Sequence, residues 1–425
     1  MTEPAPQESV FTYGAPTLKF GDGASDEIGY DLAQLGSTRA LVITDPRVAA
    51  TGLPERVAAQ MAKFGVEAAV FEGARVEPTD ASLQSAIDWA RAHGPWDAFV
   101  AVGGGSSIDT AKAVNLLLTN PGELMDYVNA PVGGGADPVN VLHPLVAVPT
   151  TTGTGSESTT ICVLDVVSQR VKSGISHARL RPMLAVVDPL LTVTQPAGVT
   201  ASAGMDILCH ALESYTARPY TAGKRKQPEQ RVPYCGSNPV SDMWSERALG
   251  LMATSFRRAV SHGDDLDARR NMALAATFAG LGFGNAGVHI PHANAYPIAG
   301  QVRDFRPDGY PDDEAMVPHG MSVSLTAPEA FRFTFEASPE RHQRAARLLD
   351  PDATDDGPDL LADTLASLMR DIGIPDGVSA VGFGENDVED LVEGALKQQR
   401  LLATAPREVR AEDLDGIFRR SMSLW

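Results

Sequence analysis

In the first half of the chain, short apolar runs alternate with stretches whose apolar positions recur at helical spacing. ALVITD (40–45) is a compact apolar run ending in an acid, and PERVAAQMAKFG (54–65) carries the stripe of an amphipathic helix closed by Gly65. VEAAVFEG (66–73) again reads as a strand, followed by a helix over DASLQSAIDWARAHG (80–94) with Asp80 as its N-cap. DAFVAVGGG (97–105) runs from a buried strand into glycines, and SSIDTAKAVNLLL (106–118) continues as a helix. Strands that alternate with helices predict a parallel, doubly wound sheet, because each helix returns the chain to start the next strand in the same direction.

The texture changes after LAVVDPLLTVTQPAG (184–198), where Pro189 and Pro196 punctuate the chain. TASAGMDILCHALESYTA (200–217), ERALGLMATSFRRAV (246–260), DARRNMALAATFAGLGFG (267–284), EASPERHQRAARLL (336–349) and DLLADTLASLMRDIG (359–373) all repeat near 3.6. The pattern therefore predicts an α/β domain over 1–195 and an all-helical domain over 196–425.

Composition narrows the function. A length of 425 residues and a formal charge of −19 describe a multidomain acidic protein. That charge excludes a nucleic-acid binder, which needs clustered cations against phosphate, and gives no attraction to an anionic membrane. Cys162, Cys209 and Cys235 form no CxxC pair, which favours a reducing compartment. The first residues, MTEPAPQESVFTYG, lack a basic flank and an apolar core. The expectation is a cytoplasmic protein whose first dozen residues are frayed.

Two glycine and hydroxyl clusters carry candidate chemistry. In AVGGGSSIDTAK (101–112), glycines between a strand and a helix let backbone N–H groups approach phosphate oxygens, a tight turn being the competing reading. VPTTTGTGSES (148–158) is a second such loop, and the two could clamp one dinucleotide from both sides. Asp45, at the end of ALVITD, is placed either to bind a ribose diol or to serve as a strand-end turn acid. In the second half, Asp206 and His210 share a helix face at i, i+4. A carboxylate with imidazoles suits a first-row divalent metal. Further histidines, His289, His292 and His319, sit in glycine-flanked contexts. One loop, TARPYTAGKRKQPEQRVPYCGSNP (216–239), is basic and offers Arg218, Lys224, Arg225, Lys226 and Arg231 to a substrate carboxylate.

Taken together, KFGDGA (19–24), GGGSSIDTAK, PTTTGTGSES, the lysine-to-DPLLT stretch (172–192), MDILCHALES and PHG resemble the iron-containing (group III) alcohol dehydrogenase family, in that family's order. Within it, ESYTARPY, YCGSNPVSD, FAGLGFGNAGVH and VEPTD (76–80) look like the hydroxyacid–oxoacid transhydrogenase branch. The resemblance implies a dehydroquinate synthase-like fold, an α/β NAD-binding domain followed by an all-α metal-binding domain. It implies Asp206, His210, His292 and His319 as ligands of Fe²⁺ or Zn²⁺. It carries cofactor contacts onto Asp45, Gly104, Gly105, Ser106, Asp109, Thr150, Thr151, Thr154 and Lys172, with NAD preferred because a 2′-phosphate would face the carboxylate of Asp45.

Two positions depart from the family pattern. Tyr296 replaces the second histidine of H-x-x-x-H, which leaves His289, Tyr296 or water to relay the proton. Glu77 stands where the family has asparagine. The implied reaction oxidises 4-hydroxybutyrate to succinate semialdehyde and reduces 2-oxoglutarate to 2-hydroxyglutarate. Alternatives are an NAD-dependent alcohol or 4-hydroxybutyrate dehydrogenase that releases NADH, and a sugar-phosphate lyase of the dehydroquinate synthase type. The partners are small hydroxy and oxo acids, with no nucleic acid and no membrane; a homo-oligomer stays open.

Overall fold

The structure, a computed structural model, describes residues 6–169, 171–310 and 315–425. It divides into two compact units: Ala15–Val193, and Thr194–Trp425 together with the N-terminal stretch that ends at Gly14.

The first unit is built on β1 (Thr17–Phe20), β2 (Arg39–Ile43), β3 (Glu67–Phe71), β4 (Ala98–Gly103), β5 (Leu145–Pro149), β6 (Ile161–Val166), β7 (Val171–Ser176) and β8 (Leu184–Val187). Six of them form one sheet in the order β1-β8-β5-β4-β2-β3, with every pair parallel. The period of two explains why the sheet needs helices on both faces. Leu41, Ile43, Phe99, Ala101, Leu145 and Ala147 enter one core. Their neighbours Ala40, Val42, Ala98, Val100, Val146 and Val148 enter the other. Strands apolar at every position are buried on both sides, as parallel strands are.

Helices Leu53–Ala62, Asp80–His93 and Gly105–Thr119 fall within a residue or a few of the predicted spans. The cap of the second differs: Thr79, not Asp80, is the N-cap, and it exchanges side-chain and backbone bonds with Ser82 in a capping box. A two-stranded antiparallel ribbon, β6–β7, interrupts the parallel pattern and places Asp165 opposite Lys172.

The second unit is helical. Helix Ala197–Thr216 is buried along most of its length and packs with helices Pro239–Ser261 and Leu266–Ala286. Gly204 permits that approach, because a Cβ there would lie 2.0 Å from the ring of Phe256. Among the described residues no single helix is long and apolar enough to cross a membrane.

The N-terminal stretch is not frayed over its described residues. Asn285 accepts from Gly14 N and donates to Gly14 O, and Glu8 is buried against Arg231. Fraying was expected from polarity alone; the long-range partners that hold this stretch are invisible in a local pattern.

Candidate active site

In the first unit, β4 and β5 end in register, Gly103 opposite Pro149, so the loops that follow leave the sheet side by side. A Cβ on Gly104 would stand 3.2 Å from Thr151 Oγ1, and one on Gly105 2.7 Å from Thr154 Oγ1. The glycines are what lets the two loops touch. Gly105 opens helix Gly105–Thr119, whose first turn holds no acidic residue and leaves backbone N–H groups for an anion. Gly104, Gly105, Ser106, Thr150, Thr151 and Thr154 are thus gathered on one edge and remain partly exposed.

The other expected cofactor residues sit differently. Asp45 caps the short helix Pro46–Ala49, with Oδ1 accepting from Arg47 N and Val48 N, while Oδ2 lies 3.4 Å from Ser107 Oγ. It adjoins the glycine loop with one oxygen committed. Asp109 turns inward: it accepts from Lys112 Nζ at 3.2 Å and from Val163 N at 2.9 Å. Burial raises its pKa against the pull of Lys112. The i, i+3 lysine could have signalled this bracing role. Lys172 pairs with Glu77 and lies 3.7 Å from Asp165. Glu77 holds a left-handed backbone, φ +55°, which an L-residue adopts at a cost.

In the second unit, Asp206 is the hub of the histidines. Its Oδ1 lies 3.6 Å from His210 Nδ1, 3.5 Å from His292 Nε2 and 3.8 Å from His319 Nε2. Donors bound at roughly 2.1 Å to one tetrahedral ion stand about 3.4 Å apart, so these spacings suit a shared cation. Asp206 Oδ1, His210 Nδ1 and His292 Nε2 are buried and have no hydrogen-bond partner. Buried polar atoms are costly without partners, and here they face one another. One ligand atom from each of Asp206, His292 and His319 lies within 4.8 Å of the others, and His210 adjoins Asp206 through Nδ1. Three imidazoles and a carboxylate fit iron or zinc.

Local sequence builds this cluster. Asp206 and His210 project from one face of helix Ala197–Thr216, His292 from the first turn of helix Ile290–Gly300, and His319 opens helix His319–Ser324. Gly320 brings the last element in, since a Cβ there would meet Ser202 O at 2.0 Å and Asp206 Cβ at 2.8 Å. His210 stacks on Phe283 at 3.8 Å between centroids. Burial pushes the His210 imidazole down to about 3, so it is neutral and able to donate a lone pair. Burial alone would raise the Asp206 carboxyl, but His210, His319 and His292 together hold it well below the usual range.

The two relay candidates part company. His289 is fully buried, and its Nε2 lies 3.1 Å from Thr216 Oγ1. Burial lowers its pKa to about 4. Tyr296 is half-buried, with its ring 6.4 Å from that of His319. Sequence reasoning missed Glu213, a fully buried carboxylate that accepts from His289 N and His292 N and contacts His292 Nδ1. Its signal was available: Asp206, His210 and Glu213 follow i, i+4, i+7 on one stripe.

The basic loop does not present an open carboxylate receptor. Arg231 forks both oxygens of Glu8 at 3.0 and 3.1 Å, Lys226 N donates to the same carboxylate, Arg225 reaches Ser9 Oγ, and Arg218 donates to Ala222 O. The acid that this loop needs comes from the chain itself.

Two family models match: "Iron-containing alcohol dehydrogenase" over residues 15–189 and "Fe-containing alcohol dehydrogenase family, C-terminal" over residues 229–422. The chain is 44% identical over 98% of its length to a hydroxyacid-oxoacid transhydrogenase, mitochondrial, of Bos taurus, covering 91% of that protein. It is 43% identical over 98% to the one of Homo sapiens, covering 90%. Among solved structures, a 1,3-propanediol oxidoreductase aligns with TM-score 0.85 at 31% identity over 97% of this chain and 100% of its own. A sulfoacetaldehyde reductase from Bifidobacterium kashiwanohense, solved in complex with NAD⁺, aligns with TM-score 0.81 at 26% identity over 98% and 99%. The relatives named mitochondrial overturn the cytoplasmic location expected from the N-terminal composition. An acidic, polar N-terminal stretch does not report a compartment. With both halves matched and near-complete coverage of these relatives, the chain belongs to the iron-containing alcohol dehydrogenase family.

Proposed function

We propose that this enzyme is a hydroxyacid–oxoacid transhydrogenase, oxidising 4-hydroxybutyrate to succinate semialdehyde and passing the hydride to 2-oxoglutarate to give 2-hydroxyglutarate. The observation that carries the reading is the convergence of the unpartnered, buried His210 Nδ1 and His292 Nε2 on Asp206 Oδ1, in a chain 40–44% identical to proteins of that name. A divalent metal supplies Lewis acidity toward a substrate oxygen, and NAD supplies the hydride acceptor and donor.

The chain's own residues divide the work. Asp206, His210, His292 and His319 hold the metal. The N–H groups at the start of helix Gly105–Thr119, with Ser106, Thr150, Thr151 and Thr154, bind the cofactor's pyrophosphate. Lys172, held by Glu77, and Asp45, through its second oxygen, complete that cradle, while Asp109 braces it from inside. Tyr296, beside His319, takes the hydroxyl proton in the first half-reaction and returns it in the second. His289 is a structural neighbour whose ring is tied to Thr216.

Incubating the purified enzyme with 4-hydroxybutyrate and 2-oxoglutarate, without added NAD, tests the reading. Continuous formation of 2-hydroxyglutarate supports it. Strict dependence on added NAD, with NADH accumulating, identifies a dehydrogenase that releases its cofactor.

A further inference from the structure

The buried carboxylate of Glu213 is unusual because, among the described residues, no lysine or arginine is in hydrogen-bonding contact with it. Burying an ionised carboxylate costs several kcal/mol unless its oxygens are satisfied. Here Oε1 accepts from His289 N at 2.7 Å and His292 N at 3.2 Å, both at the start of helix Ile290–Gly300. That helix spans 11 residues, and its N-terminal dipole also favours an anion. Oε2 is left for one contact, the Nδ1 of His292. With two backbone N–H groups pointing at Oε1, the Glu213 carboxylate enters as an acceptor.

An ionised carboxylate has no proton to give. The proton between Oε2 and Nδ1 therefore belongs to the imidazole, and in the neutral ring that a cation would bind, Nε2 carries the lone pair. That Nε2 is the buried atom without a hydrogen-bond partner, 3.5 Å from Asp206 Oδ1. We infer that Glu213 is the positioning residue of the metal centre: it fixes the tautomer and orientation of His292 so that Nε2 faces the cation. The inference rests on the reading of Asp206, His292 and His319 as ligands. It also ties two structural tasks to one side chain, since the carboxylate that orients the ring caps the helix that carries it.

Glu213→Gln separates the two tasks. The glutamine carbonyl still accepts from both backbone N–H groups, but its amide nitrogen now donates toward Nδ1. His292 is then driven to the opposite tautomer, with the proton on Nε2, where it blocks metal. Wild type and Glu213→Gln are stripped with chelator, compared by circular dichroism and thermal unfolding, and titrated with Zn²⁺ by calorimetry. Ring-¹⁵N spectra of the histidines report the tautomer. The expected result is an unchanged fold, zinc affinity lower by roughly tenfold to a hundredfold, and a His292 proton moved to Nε2.

Equal zinc affinity in a folded Glu213→Gln overturns the role of Glu213 alone. Failure of the wild type to take up zinc overturns the ligand reading beneath it. If Glu213→Gln does not fold, the zinc-loaded wild type decides: a proton on His292 Nδ1 sustains the inference, and its absence overturns it.

Discussion

Gly105 and Thr154 approach so closely that a methyl group on the glycine would lie 2.7 Å from the threonine Oγ1, inside any normal contact. This touch joins the two loops that follow β4 and β5. Gly105→Ala must push Thr154 and its loop outward while leaving the sheet intact. NADH affinity is expected to fall on the order of tenfold, about 1.4 kcal/mol, with the unfolding midpoint nearly unchanged. Fluorescence titration of NADH checks it; wild-type affinity would show that the loops do not clamp the cofactor jointly.

Tyr296 is the half-buried member of the two relay candidates, and its ring lies 6.4 Å from that of His319, a proposed metal ligand. Removing its hydroxyl should slow proton transfer without disturbing metal uptake. Tyr296→Phe is expected to lose roughly a hundredfold in kcat, the lower range for general acid–base groups. The alkaline limb of its pH–rate profile should flatten, and metal content should equal that of wild type. If His289→Gln gives that signature and Tyr296→Phe does not, the assignment reverses.

Glu8 latches the N-terminal stretch to the basic loop. Its carboxyl is held at about 2, first by Arg231 and then by the Lys226 N–H. A depressed carboxyl pKa stabilises the latch fully above about 4.5, and the contribution disappears as pH falls from there toward 2. Glu8→Gln should speed tryptic cleavage at Lys224, Arg225, Lys226 and Arg231 at neutral pH, and the difference from wild type should vanish in acid-tolerant proteolysis near pH 2. Equal cleavage rates at neutral pH would show that the backbone contacts, Glu8 N to Gly223 O and Arg225 N to Pro6 O, suffice.

What was legible in the sequence follows from what is local. The alternation of Leu41 and Val42, or Phe99 and Val100, announces a sheet covered on both faces, and the i, i+4 pair of Asp206 and His210 announces one face of a helix. Both depend only on period. The bond from Val163 N that turns Asp109 inward and the fork of Arg231 on Glu8 depend on partners 54 and 223 residues away, which no window of sequence contains; only Lys112, three residues on from Asp109, was in view. Glu213 lay between these cases: its spacing was visible, but its meaning required knowing that His289 and His292 return to the same point. The β6–β7 ribbon was hidden because VKSGIS lacks an apolar alternation strong enough to read as a strand.

His342 offers a pH test away from the metal cluster. The ring is 1% exposed, with Nε2 2.9 Å from Thr334 Oγ1 and Nδ1 2.9 Å from Ser338 O. Both nitrogens are used by a neutral ring, with Nδ1–H donating to the carbonyl and Nε2 accepting from the hydroxyl. Burial lowers its pKa from 6.5 to about 4, with Ser338 O opposing and Arg341 adding to the effect. The unfolded chain therefore binds a proton that the folded chain refuses between those values. Stability from this residue is complete above pH 6.5, declines as pH falls toward 4, and levels off below. At about 1.4 kcal/mol per unit, the full loss is on the order of 3 kcal/mol. His342→Gln removes the titration while keeping a polar side chain. The variant is expected to be less stable than wild type at pH 7.5, and the gap should narrow by roughly that amount at pH 4. Urea unfolding of both proteins across this range measures it. A gap independent of pH would mean that His342 is protonated inside the fold.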